Sequence, residues 1–306
     1  MARGILLPIC SIPRTLKEIL MIKKYLIQAF FILVYIFAAI GFFLTAGYFA
    51  IKFGWTNQKG IIDVQRETFL FGNANPSTAQ TAAVSDAESY TGPWQQSPEW
   101  QVMADAIRRD QPTIQKAADD SGVPARLIVA NLVAEQLRLF FTDREDYKKF
   151  FYPLKILGPQ TQFSWGVMGM KEATAVQVEN NLKDPSSPYY LGAGYEHMLD
   201  FPAGTTDVAT ARFTRMTDQH DHYYSYLYAA LYIKEVETQW QKAGYPIDDN
   251  VAVISTLYNI GFEHSNPNPN PQVGGAAITL SDGTRAFGAL ANEFYTSDLL
   301  TDIFPR

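Results

Sequence analysis

The chain has 306 residues, of which 47% are hydrophobic, 18% charged and 14% aromatic, and this composition excludes wholesale disorder. Residues 1–53 carry a net charge of +5 and residues 54–306 a net charge of −11. The larger, acidic part is a poor candidate for binding nucleic acid, because phosphate binding needs a basic surface. The single cysteine, Cys10, excludes an intrachain disulfide framework, a cysteine-based zinc site and a CxxC redox pair.

The first predicted element is a membrane-spanning helix over residues 29–51, a run of 23 residues without a charge. A helix of that length rises about 35 Å, enough to cross the ~30 Å hydrocarbon core of a lipid bilayer. Cations cluster before the run, among them Arg14, Lys17, Lys23 and Lys24. The positive-inside rule therefore predicts a single-pass cell membrane protein with residues 1–28 in the cytoplasm and the C-terminal domain outside. A cleavable signal peptide, with Leu44–Gly47 near its cleavage site, and a buried core helix are the alternatives.

Residues 52–93 are predicted to be a juxtamembrane segment and flexible linker. Within them, residues 72–93 are rich in Asn, Ser, Thr, Ala, Gly and Pro and offer little to bury. From Trp94 the pattern becomes globular, so residues 94–306 are expected to form one domain.

The outer domain is predicted to be mainly α, with a small β element. Helical spacing of apolar residues and stop signals at Gly and Pro predict the following helices: Ser97–Ala118, Arg126–Phe141, Lys171–Leu182, Tyr223–Ala243, Asn250–Ile260 and Gly288–Leu300. Between the last two, Ala277–Phe287 brackets Asp282-Gly283, a hairpin turn signal.

The most informative position is Glu135, a carboxylate on the apolar face of a helix. That face also takes Ile128, Asn131, Leu132 and Leu139. Burial of a carboxyl group disfavours its charged form and raises its pKa, which suits a general acid for glycosidic bond cleavage. The alternative is a structural ion pair with Arg138, one turn further along the helix.

Two later segments accompany Glu135: Ser164-Trp-Gly-Val-Met-Gly-Met-Lys171, which leads into a helix with Ala173-Thr174-Ala175, and Leu257-Tyr-Asn-Ile-Gly261. In this order the three segments resemble the lysozyme-like superfamily, in particular the lytic transglycosylases with the soluble lytic transglycosylase domain. The resemblance covers about residues 110–265. It implies a lysozyme-like helical domain that acts on the glycan strands of peptidoglycan.

The resemblance implies cleavage of the β-1,4 bond between N-acetylmuramic acid and N-acetylglucosamine, with formation of 1,6-anhydro-N-acetylmuramic acid. Glu135 is the expected acid and base. Ser164, Gly166, Met168, Gly169, Tyr258 and Asn259 are the expected substrate-binding residues. In the Ser164 segment, the glycines let the backbone approach a sugar closely and Met168 forms an apolar wall; Tyr258 directs its phenol toward the acid. No cofactor and no metal are expected, and a protein partner is left open.

Departures from the family pattern keep two further functions open. Gln136 stands where the family commonly has Ser, and Gly169 stands where it has Gln. A non-catalytic cell-wall-binding or assembly protein is therefore an alternative, and so is a lysozyme-type hydrolase with a second carboxylate from Asp143, Glu145 or Asp146. A zinc site at Gln219–His222 is disfavoured, because His-x-His lacks a third ligand at helical spacing.

Overall fold

The structure is a computed structural model that describes residues 14–52, 66, 68–70, 72, 90–140 and 164–306. It is mainly helical and divides into two compact units, Met1–Asn57 and Gln58–Arg306. The first unit contains helix α1, Arg14–Lys52, and the predicted span of residues 29–51 lies within it. Its segment Lys23–Phe42 is long and apolar enough to cross a membrane, and none of that segment is buried.

The second unit, called here the outer unit, is built mostly from helices. In chain order these are α2 (Pro98–Ser121), α3 (Ala125–Phe140), α4 (Glu172–Lys183), α5 (Val208–Met216), α6 (Tyr223–Lys242), α7 (Val251–Ile260) and α8 (Phe287–Thr296). Of these helices in the described residues, all but α5 were predicted, with slightly different ends. Helix α5 was missed inside the segment 183–222, because its nine residues carry only two buried side chains, Arg212 and Met216.

Local capping explains where several helices begin and end. The Ser97 side chain accepts a hydrogen bond from the Trp100 N–H at 3.3 Å, and Pro98 occupies the first turn of α2, where a missing N–H costs nothing. The same helix stops at Gly122, whose φ of 71° is left-handed. At α7, the Asn250 side chain accepts from the Val253 N–H at 3.1 Å.

Helix α6 lies at the centre of the core. Its nine residues from Ser225 to Ile233 are all buried, and it packs against α2, α4 and α7. The crowded tyrosines of this helix therefore mostly serve packing: Tyr226, Tyr228 and Tyr232 are each at most 1% exposed. Phe69 and Leu70, from the segment placed before the outer domain, are also buried in this core. The rest of the predicted linker lies largely outside the described residues.

Arg126, at the start of α3, joins that helix to the segment after α8. Its guanidinium donates five hydrogen bonds of 2.7–3.1 Å to backbone carbonyls. The acceptors are the carbonyl oxygens of Phe294, Tyr295, Ser297, Leu299 and Phe304. Two of them belong to the last turn of α8, where the helix dipole favours a cation. The guanidinium thus holds residues 294–304 against α3.

Two small antiparallel hairpins complete the described part of the unit. Strands β3 (Ala277–Leu280) and β4 (Gly283–Ala286) form the predicted hairpin, but Gly283 pairs with Leu280, so the two loop residues are Ser281 and Asp282 rather than Asp282 and Gly283. The other hairpin, β1 (Ser164–Trp165) with β2 (Met170–Lys171), was not predicted as strands. Its turn holds Gly166 and Gly169 at φ values of 69° and 64°, a left-handed conformation that favours glycine.

Candidate active site

Glu135 lies near the end of α3, and its side chain is 3% exposed. The residues that share its helical face, Ile128, Asn131 and Leu132, are fully buried. Helix α3 therefore carries a carboxyl group into the interior, on a face whose neighbouring side chains are packed in the core.

The carboxylate of Glu135 is paired with Arg138, the alternative that the spacing left open. Arg138 donates from Nε to Oε2 at 3.0 Å and from a terminal nitrogen to Oε1 at 2.5 Å. The Arg138 side chain is itself only 12% exposed. Both carboxylate oxygens are thus engaged by one guanidinium in a bidentate, charge-assisted pair.

The backbone of Gly169 packs directly on the same carboxylate. A Cβ atom built on Gly169 would lie 1.9 Å from Oε1 of Glu135 and 2.4 Å from its Cδ. Only glycine leaves room for the carboxylate, and its φ of 64° suits no larger residue well. The glycine that departs from the family pattern is therefore the residue that lets Glu135 approach this turn. A glutamine side chain at position 169 would collide with Glu135 as it stands here.

Gln136, the second departure from the family pattern, holds the turn from behind. Its side-chain amide donates to the Val167 carbonyl at 2.5 Å, and its oxygen accepts from Arg66 Nε at 3.1 Å. On the other side, the Met168 N–H donates to Ser225 Oγ at 3.2 Å. Sequence reasoning missed this role of Gln136; the available signal was a second polar residue, beside Glu135, within a buried helix.

Tyr258 reaches the same turn from α7, but it is not aimed at the acid. Its hydroxyl donates to the Met168 carbonyl at 2.7 Å, which corrects the expectation that the phenol points toward Glu135. Burial raises the pKa of Tyr258 well above its usual value, and the nearby charge of Glu135 raises it further. The phenol therefore stays protonated and acts as a donor that positions the Met168 backbone.

Asn259, the next residue, holds a different segment, the one that precedes β3. Its side-chain oxygen accepts a hydrogen bond from the Ala276 N–H at 2.8 Å, just before β3. Asn259 thereby joins the end of α7 to the start of the β3–β4 hairpin.

These residues surround a cavity of about 410 Å³. Its lining is contributed by α3, the β1–β2 hairpin, the first two turns of α4, α6, the last turn of α7 and the segment that follows α7. The lining residues are Glu135, Arg138, Ser164, Gly169, Met170, Lys171, Ala173, Thr174, Gln177, Tyr232, Tyr258, Asn259, Ile260, Gly261, Glu263 and Ala276. Hydroxyl, amide and charged groups predominate, which suits a ligand rich in hydroxyl and amide groups.

Two of the expected binding residues do not line this cavity. The Met168 side chain is fully buried in the core, so the predicted apolar wall from Met168 is absent and its backbone serves the site instead. Gly166 faces away: a Cβ there would lie 2.4 Å from Ser225 Oγ and 2.6 Å from the Met216 carbonyl oxygen. Ser164, Gly169, Tyr258 and Asn259 do line the cavity together with Glu135.

A second carboxylate, Glu263, also lines the cavity and was not singled out from the sequence. It is exposed and lies in the single helical turn Phe262–His264, where its carboxylate folds back over the Gly261 backbone. Its position two residues after Gly261 was the available signal. The carboxylates expected for a hydrolase, Asp143, Glu145 and Asp146, lie outside the described residues.

The histidines in the described residues do not line the cavity. His222 contacts Asp110 Oδ2 through Nδ1 at 2.5 Å, and the Tyr226 hydroxyl donates to the same oxygen at 2.6 Å. Asp221 accepts a hydrogen bond from the Tyr223 N–H at the start of α6. Within the described ranges, no three His, Cys, Asp or Glu side chains converge as metal ligands.

No family model, no curated protein and no solved structure matches this chain. The likeness to lytic transglycosylases therefore stands on the three segments themselves.

Proposed function

We propose that the outer unit is a divergent lytic transglycosylase with a lysozyme-like fold, which cleaves the glycan strands of peptidoglycan. The observation that supports this proposal is that distant parts of the sequence meet at one cavity. Residues from three segments that are far apart in sequence, Glu135, then Ser164 and Gly169, then Tyr258 and Asn259, line one polar cavity with a buried carboxyl group in its wall. Packing alone requires neither a cavity at that point nor a carboxylate beside it.

In the proposed reaction, Glu135 acts first as general acid and then as general base. The protonated carboxyl gives its proton to the bridging oxygen as the bond from C1 of N-acetylmuramic acid breaks. The carboxylate then removes the proton from the C6 hydroxyl of the same sugar, and the C6 oxygen bonds to C1. One carboxyl group suffices because the nucleophile belongs to the substrate, so no water is consumed.

The rest of the site positions the turn that faces the carboxyl group. Tyr258 and Gln136 hold the carbonyls of Met168 and Val167, and Gly169 supplies a backbone surface without a side chain. A sugar ring that enters the cavity would contact this backbone surface next to Glu135.

The product identifies the reaction. The full chain, purified in detergent and incubated with sacculi, is expected to release muropeptides that are one water lighter than hydrolysed ones, as measured by mass spectrometry. Reducing N-acetylmuramic acid ends would instead indicate a hydrolase and would turn attention to Glu263 as its second carboxylate.

A non-catalytic wall-binding protein is the second candidate, and one observation favours it. Both oxygens of Glu135 are already bonded to Arg138, as in an ion pair whose role is structural. Under this alternative the protein sediments with sacculi but releases no muropeptide at any pH, and Glu135→Gln does not change the amount bound.

The proposed placement of the outer unit is outside the cytoplasm, with α1 as its membrane anchor. The support is the cluster of cations on the N-terminal side of the apolar segment. A reporter enzyme that works only outside the cytoplasm, fused after Arg306, is expected to be active. Activity of a cytoplasm-specific reporter at the same position would contradict this topology.

A further inference from the structure

The ion pair at Glu135 conflicts with the first step of the proposed reaction. A general acid must carry a proton, but an opposite charge within hydrogen-bond distance favours the ionised carboxylate. Both oxygens also already accept hydrogen bonds from Arg138, at 3.0 and 2.5 Å. A bridging oxygen that approaches either one competes with the guanidinium for it.

We infer that Arg138 is a positioning residue that holds both oxygens of Glu135 in the resting cavity and must release at least one of them before Glu135 can act on a ligand. This inference rests on the proposed function. Arg138 itself lines the cavity, so a ligand that enters can reach both partners of the pair.

The other charged and titratable groups around the cavity do not substitute for Arg138. Lys171 and Glu263 are exposed, so solvent and salt weaken their fields. Tyr258 bonds to the Met168 carbonyl and Tyr232 to the Leu257 carbonyl, and the pKa of each phenol is raised well above its usual value by burial. In the described part of the chain, Arg138 is the one cation hydrogen-bonded to Glu135.

The chain contains a matched control, the pair of Glu179 with Arg212. Arg212 also binds its carboxylate in bidentate fashion, at 2.7 and 2.6 Å, and the two side chains are 8% and 13% exposed. Glu179 does not line the cavity. The two pairs share the bidentate arginine–carboxylate contact, but only Glu135 lines the cavity.

The test measures how fast a water-soluble carbodiimide and a neutral amine convert Glu135 into an amide, followed by peptide mass spectrometry on the full chain in detergent. The carbodiimide reacts with the protonated carboxyl group. Glu135 is expected to react about tenfold faster or more in Arg138→Met than in the wild type at the same pH, because its oxygens no longer bind a guanidinium and the carbodiimide requires a protonated carboxyl group. Glu179 is the internal reference and should react slowly in both proteins.

Two further variants keep the test decisive. Arg138→Gln is a second neutral variant, and it replaces Arg138→Met if fast labelling of Glu179 shows that the first has lost its fold. Arg138→Lys retains the charge and is expected to return the Glu135 rate toward that of the wild type. Equal Glu135 rates in the wild type and in a folded neutral variant would overturn the inference.

An activity measurement on the same samples separates this inference from the proposed function. If both hold, the neutral variant still releases muropeptides, and its pH profile differs from that of the wild type, because the charge opposite the catalytic carboxyl group has been removed. Faster labelling without any muropeptide release would support the role of Arg138 and contradict the transglycosylase. Muropeptide release with unchanged labelling would support the transglycosylase and contradict the role of Arg138.

Discussion

In the described residues, the outer unit contains two arginine–glutamate pairs with largely buried side chains, and their surroundings differ. Glu179 is held by several donors: Arg212 binds both oxygens, Arg215 donates to Oε1 at 3.3 Å, and the Tyr228 hydroxyl donates to the same oxygen. Glu135 has one guanidinium, a glycine backbone against its other side, and a cavity beside it.

The difference separates a carboxylate that serves the fold from one that is available for chemistry. A closed network that satisfies every oxygen gains little from being next to an opening. A pair that opens on a polar cavity can exchange one protein hydrogen bond for a ligand hydrogen bond. Local sequence is a poor guide to this distinction, because Arg138 follows Glu135 by three residues, whereas the arginines that bind Glu179 lie 33 and 36 positions later in another helix.

The largest expected effect is on activity, in a comparison of Glu135→Gln with Glu179→Gln. Glutamine cannot donate an acidic proton, so Glu135→Gln should lower muropeptide release by about 10²–10⁴-fold. Glu179→Gln leaves the guanidinium groups of Arg212 and Arg215 without their charged partner, which should lower the free energy of unfolding by about 3–5 kcal/mol. The folded fraction of this variant should retain its activity. Release assays and denaturant unfolding on both variants measure the two effects.

Stability alone does not decide this comparison, because Glu135→Gln also removes the charge opposite Arg138. Both variants are expected to unfold more easily than the wild type. The assignment of Glu135 as acid and base fails if Glu135→Gln cleaves sacculi as fast as Glu179→Gln once each rate is corrected for the folded fraction.

A smaller effect is expected from alanine at the two glycines of the β1–β2 turn. Both positions have left-handed backbones and crowded surroundings, so Gly169→Ala and Gly166→Ala should each cost about 1–3 kcal/mol in thermal unfolding. Only the methyl group at position 169 displaces Glu135; the one at position 166 meets Ser225 and Met216.

Muropeptide release per folded molecule is therefore expected to drop in Gly169→Ala and to persist in Gly166→Ala. Equal losses would show that the turn as a whole matters, and not the contact between Gly169 and the carboxylate.

The smallest expected effect is on the free energy of unfolding and concerns Glu237, a carboxyl group for which the described residues show no arginine pair. Burial, together with the charge of Asp248, raises the pKa of Glu237 to about 7. Its folded pKa lies above the unfolded value, so the stability it contributes is complete at low pH and is lost as pH rises through about 7. Wild-type stability should fall by about 1–2 kcal/mol relative to Glu237→Gln between pH 4.5 and pH 8.

Urea unfolding of both proteins across that range measures the difference. The charge-neutral Asn181→Ala variant, which removes the donor to buried Glu235, serves as a control that perturbs a neighbouring carboxyl without touching Glu237. A constant difference between the wild type and Glu237→Gln at all pH values would show that burial alone does not perturb this carboxyl group, and would weaken the contrast with the arginine-paired glutamates.

Parts of this site could be predicted from the sequence because they depend on local periodicity. The apolar face of α3 indicated that Glu135 is buried, and the spacing of three residues made Arg138 its candidate partner. Other parts depend on distant segments meeting in space. The contact between Gly169 and Glu135, the bond from Gln136 to Val167 and the turn of Tyr258 toward Met168 each join different elements, so no spacing along the chain predicts them.

The five carbonyls that surround Arg126 also constrain when the outer unit can fold during synthesis. Arg126 is made early, whereas its acceptors lie between residues 294 and 304, more than 160 positions later. Until that segment has left the ribosome, the cation has no buried partners and stays in water. Final closure of α3 onto α8 is therefore a late event, and a chain interrupted before residue 294 retains a solvated arginine where the finished domain has its core.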